Sequence, residues 1–172
     1  MKKIAWLLVL PFLWSAPSLA QQKDRVATFI RTTLGTRSAN IVAAAAAMPA
    51  DKYAFRSAPE QQTFGQLVLH IADVNYLYCS NIGGVAVPEL PKVSDTGAKD
   101  KLMERLKSSF DFCTTAFAQL DDSHMAETLT VGDTKASRAM TILTLTGTWN
   151  DHYNMLAEDL RFSGQMLPAA SK

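Results

Sequence analysis

Apolar residues recur three and four positions apart in four separate stretches of this chain, and nowhere is there a convincing run of alternating strand residues. That pattern restricts the fold more than any other feature, because each stretch needs a partner face to cover its apolar stripe. The first stretch runs from Lys23 to Met48, with Val26, Phe29, Ile30 and Leu34 as its stripe, an alanine run at Ala43 to Ala47, and Gly35 as a candidate kink. Pro49 ends it, and residues 50–60 connect. The second opens at Thr63 with Gln66 three residues on, a capping-box pattern. Its expected face carries Leu67, His70, Val74 and Leu77, and the Gly83-Gly84 pair stops it.

Pro88 and Pro91 make residues 85–97 an extended linker, long enough to cross the side or top of a bundle. The third stretch, from about Ala98 to Leu120, turns Leu102, Leu106, Phe110, Cys113 and Phe117 inward. Lys99, Lys101, Glu104, Arg105 and Lys107 are expected on its solvated face. Residues 121–136 are irregular, with Gly132-Asp133 as a turn and room for a short hairpin or a helical turn. Ser137 caps a fourth stretch that reaches Phe162 with Ile142, Leu145, Trp149, Leu156 and Leu160 inward, and Gly164 and Pro168 follow as stop signals. The expected fold is all-α, an antiparallel four-helix bundle whose up-and-down order the periodicity leaves open.

A chain of 172 residues suits one such domain. With 17 Lys and Arg against 16 Asp and Glu, it lacks the concentrated charge of a dedicated nucleic-acid binder. Part of its apolar content belongs to an N-terminal segment. Lys2 and Lys3 precede an apolar run from Ile4 to Trp14, then Ser18-Leu19-Ala20 offers a signal-peptidase site. The run is well short of the roughly 20 residues that span a bilayer, so residues 1–20 are expected to be removed rather than to anchor the protein. Residues 21–172 then form the exported domain, periplasmic or secreted, with no membrane span. Removal takes two of the 17 basic residues, so the formal charge moves from +1 to −1 over the remaining 152 residues.

Export gives the cysteines their expected state. In an oxidising compartment Cys79 and Cys113 form a disulfide, and a loop of this length is stabilised by about 3 to 4 kcal/mol. Two buried free thiols are the alternative. Of three histidines, His70 and His152 fall on expected inward faces of different helices, where bundles build ligand and metal sites. His124, near Asp121 and Asp122, is expected at the surface. There is no C-x-x-C-H, H-E-x-x-H, P-loop or dinucleotide fingerprint, and no nucleophile elbow.

Two segments carry a family resemblance. Residues 48–56, MPADKYAFR, with 64–72, FGQLVLHIA, are similar to the first half of DinB-like proteins of the DinB/YfiT superfamily. Asn150-Asp151-His152-Tyr153, followed by Leu160-Arg161-Phe162-Ser163-Gly164 and Pro168, resembles that family's last helix. The resemblance implies a four-helix bundle and, in many members, a divalent metal such as zinc or nickel on three histidines. His70 and His152 match two of those positions, while Thr148 stands at the third, so the histidine triad is incomplete. A hydroxyl is a poor substitute for imidazole toward either metal.

The expected site therefore holds His70 and His152 as metal ligands and Thr148, Trp149, Tyr153 and Asp73 around the pocket. Asp73 and Asp159 are candidate supporting carboxylates, each with a solvated helix position as the simpler reading. The leading functional expectation is a small-molecule or weak-metal binding domain. The resemblance also implies a metal-dependent thiol S-transferase-like or hydrolase-like enzyme. A third alternative is non-covalent haem held by His152 and Met48. A homodimer through a leftover apolar helix face is compatible with the sequence.

Overall fold

The computed structural model describes residues 24–171, and the expected signal segment lies outside them. Four helices, α1 (Arg25–Ala47), α2 (Phe64–Gly83), α3 (Lys99–Phe117) and α4 (Arg138–Phe162), make one bundle. A short hairpin, β1 (Thr128–Val131) and β2 (Thr134–Ser137), sits between α3 and α4. It pairs Thr128 with Ser137 and Val131 with Thr134, leaving Gly132-Asp133 as the two-residue turn, with Gly132 at φ 57°. No helix among the described residues is long and apolar enough to cross a membrane.

Local sequence sets the helix ends. The Thr63 hydroxyl accepts the Gln66 amide, and the Gln66 side chain accepts the Thr63 amide at 2.8 Å, which completes the capping box. Gly84 closes α2 in the left-handed conformation at φ 66°. Gly83 is still helical and serves packing: a Cβ there would lie 2.5 Å from the Ala116 carbonyl oxygen, so glycine allows the last turn of α2 to approach α3. Ser137 caps α4 through the Met140 amide. Helix α1 runs unbroken through Gly35.

Cross-helix contacts fix the directions. Cys79 is bonded to Cys113, and Asn75 donates to Ser109, so α2 and α3 run the same way. Arg31 near the start of α1 reaches the Phe117 and Leu120 carbonyls, and Lys99 at the start of α3 reaches the Ala46 and Met48 carbonyls, so α1 and α3 are antiparallel. Arg138 meets the Ile82 carbonyl while His152 meets His70, which makes α2 and α4 antiparallel. The ends of α1 and α4 meet at Met48 and Ser163. The order is up-down-down-up. The 85–98 linker makes this possible, since it has to return along a 20-residue helix of about 30 Å, and an extended chain of that length covers it.

The core is filled by Trp149, Phe64, Phe117, Ile30, Ile41, Met48 and their neighbours. All five residues expected inward on α3 and all five on α4 are buried. Three expectations are corrected. Phe29 and Leu77 are each 45% exposed, because α1 and α2 rotate Ile30, Leu34, Ile71 and Cys79 into the core instead. His70 is exposed as a whole residue. Arg105 leaves the solvated face: its side chain is only 14% exposed and pairs with Asp73.

Candidate functional site

Helices α2 and α4 pass each other with His70 and His152 facing across the gap. The ring centroids are 5.1 Å apart, at an interplanar angle of 77°, edge to face. His152 follows Trp149 by three positions on the buried stripe and is 7% exposed. His70 sits on the outer side of the pair, so the site is open at one imidazole and closed at the other. Burial holds the His152 pKa down at about 4, helped by the neighbouring His70 and opposed by Asp151. Its Nδ1 is buried and has no hydrogen-bond partner.

Behind the pair runs a polar chain that crosses three helices. The Trp149 indole Nε1 donates to Asn75 Oδ1 at 2.7 Å, the Asn75 amide donates to Ser109 at 3.0 Å, and the Ser109 hydroxyl donates to the Leu106 carbonyl at 2.7 Å. Trp149, Asn75 and Ser109 are fully buried, and the chain fixes the orientation of Trp149, three residues before His152. Asn75 and Ser109 are not among the residues expected at the site. A signal existed: Asn75 stands midway between Ile71 and Cys79 on the buried stripe of α2, where a polar side chain needs a partner.

The remaining candidates are scattered. The Thr148 hydroxyl donates to the Thr144 carbonyl at 2.9 Å within its own helix. Asp73 accepts from Arg105 of α3 at 3.1 Å. Asp159, whose simpler reading was a solvated helix position, is instead buried; burial raises its pKa and the nearby Ser57 hydroxyl opposes that rise. Tyr153 is half-buried and packs against the core. His124 is exposed, with Nδ1 2.6 Å from Glu127, which raises its pKa. Met48 is buried with its sulfur accepting from Ser163, eleven residues beyond His152 and so about 16 Å further along α4. The geometry does not bring Met48 to His152.

Cys79 and Cys113 are joined as a disulfide in the core. Among the described residues, no three His, Cys, Asp or Glu side chains gather closely enough to hold a metal ion. The donor set around His152 is thus two imidazoles.

No curated protein matches the chain. Among solved structures, a DinB-like protein from Bacillus cereus ATCC 10987 is similar at a TM-score of 0.69 and 12% identity, over 83% of this chain and 95% of that one. A DinB-like protein from Bacillus subtilis is similar at a TM-score of 0.69 and 17% identity, over 84% of this chain and 99% of that one. At such identities the likeness establishes the shared fold. The family model of the DinB superfamily matches residues 33–155, which include all of α2 and α3 and both histidines of the pair, and the chain belongs to that superfamily.

Proposed function

We propose that the protein is an exported binding domain whose His70–His152 pair takes a small molecule or a weakly held divalent cation, zinc or nickel. The observation that carries this reading is the buried, unpartnered Nδ1 of His152 beside the His70 ring. A buried polar nitrogen without a partner is costly, and a bound donor or cation removes that cost. Its depressed pKa keeps His152 neutral near pH 7, the form in which imidazole binds a metal ion.

The donor set fits a weak site only. A tight zinc site takes three or four protein ligands, and here two imidazoles leave the other positions to water or to a bound molecule. Thr148 offers only a neutral hydroxyl, a poor ligand for zinc or nickel, and that hydroxyl is turned to the Thr144 carbonyl of its own helix. The three-histidine centre that the family resemblance implied does not fit these residues, because Thr148 stands at the third position. Export rests on the charge, length and cleavage pattern of residues 1–20.

Isothermal titration of exported protein with Zn²⁺ and with Ni²⁺ tests the reading. One weak site is expected, lost in both His70→Ala and His152→Ala, with no stoichiometric metal retained through dialysis. Tightly retained metal contradicts the weak site. Binding unchanged in both variants removes the histidine pair from it. A mass beginning at Met1 rather than Gln21 in the exported fraction contradicts the expected removal of residues 1–20.

A further inference from the structure

A cavity of about 590 Å³ lies between the proline-containing linker and α3, and neither His70 nor His152 lines it. Its volume falls in the range of small-molecule sites. Pro88, Leu90, Pro91, Val93 and Phe112 supply apolar walls, while Lys92, Lys101 and Arg105 face one carboxylate, Glu104. Glu104 is already paired with Lys101 at 2.9 Å in solvent.

Arg105 is the unusual member. Its guanidinium lies 4.9 Å over the Tyr76 ring, so one face is stacked and the edges remain for hydrogen bonds. Nη2 donates to Asp73, but Nε and Nη1 are buried without any acceptor. Leaving two donors of a charged group unpaired is expensive. Arginine is also the side chain best suited to a planar carboxylate. The apolar walls and the net positive lining together favour a molecule with one anionic end and a hydrocarbon or aromatic body.

We propose that this cavity binds a small amphipathic carboxylate, anchored by Arg105 and covered by the 85–98 linker. The carboxylate pairs with the Arg105 guanidinium, whose donors are not all satisfied within the protein, and its body displaces water from the apolar walls. This site is separate from the histidine pair, so it holds or fails on its own.

Calorimetric titration of the full chain with 4-phenylbutyrate and decanoate, against the neutral 4-phenylbutyramide, tests it. At least one carboxylate is expected to bind, and the amide at least tenfold more weakly than 4-phenylbutyrate. Arg105→Gln should weaken carboxylate binding at least tenfold. Because that change also unpairs Asp73, Ser108→Trp is the second variant: residue 108 lines the cavity from an exposed helical position, and the indole fills the space without disturbing the core. Binding should be lost in Ser108→Trp and unchanged in His70→Ala and His152→Ala. Equal binding of acid and amide, full binding in Ser108→Trp, or failure of both carboxylates to bind overturns the proposal.

Discussion

Position 148 separates this site from a three-imidazole centre. Thr148 lies one helical turn before His152 on the same side of α4, so an imidazole there would stand next to the existing pair. Thr148→His is expected to raise Ni²⁺ affinity at least tenfold, read by titration calorimetry, because each added nitrogen ligand replaces a water. His152 also gives a pH signature. Its pKa is about 4 in the folded protein against about 6.5 when unfolded, so between these values only the unfolded chain takes up the proton. Stability from this residue is complete above pH 6.5 and is lost as pH falls toward 4. The loss is on the order of 2 kcal/mol, less than the full linkage because solvent reaches part of the ring. Urea midpoints should show this slope in the wild type and a shallower one in His152→Gln. His70 and His152 were legible as candidates because both resemble family positions, and the helical stripe placed His152 inward. The pattern put His70 inward too, where rotation of α2 leaves it exposed. Arg105 was misread because a charge on a helix surface looks solvated until a neighbouring helix and a linker cover it.

At the level of elements, a cation from elsewhere in the chain meets the carboxyl end of each helix. Lys99 serves α1, Arg138 serves α2, Arg31 serves α3, and Lys52 serves α4 through the Ser163 carbonyl at 2.8 Å. Each satisfies carbonyls that the helix cannot pair and complements its dipole. The start of α1 is handled likewise. Asp24 has no side-chain bond into its own helix, and Asp122 accepts the Val26 and Ala27 amides from the far side of the sequence. Asp122→Ala should cost about 1–2 kcal/mol in chemical denaturation, with increased amide exchange in the first turn of α1 as the local readout. The caps at Thr63 and Ser137 were legible because both partners lie within three residues. Asp122 was not, since its partners are 95 and 96 positions away and only folding brings them together.

For the whole molecule, the four helices and the break at Gly83-Gly84 followed from periodicity and helix-stop residues, whereas the direction of travel did not. A stripe records which residues are buried, not which way the helix points, so the parallel course of α2 and α3 became visible only through pairs such as Asn75 with Ser109. The disulfide adds to that parallel pair. Reduction of the unfolded chain followed by refolding under reductant is expected to lower the melting temperature by roughly 10 °C, from a loop contribution of about 3 kcal/mol in a domain of this size. A scan showing no change on reduction, with both thiols then titratable, would refute that contribution.

The same bond alters what a single cut can do. Because Cys79 and Cys113 lie on either side of the exposed 85–98 linker, the chain between them is a closed ring. Protease cleavage at Lys92 should leave one band on a non-reducing gel and two on a reducing one. Severing the linker therefore opens a covalent circle without dividing the molecule, and whatever the linker covers can be uncovered while all four helices stay attached.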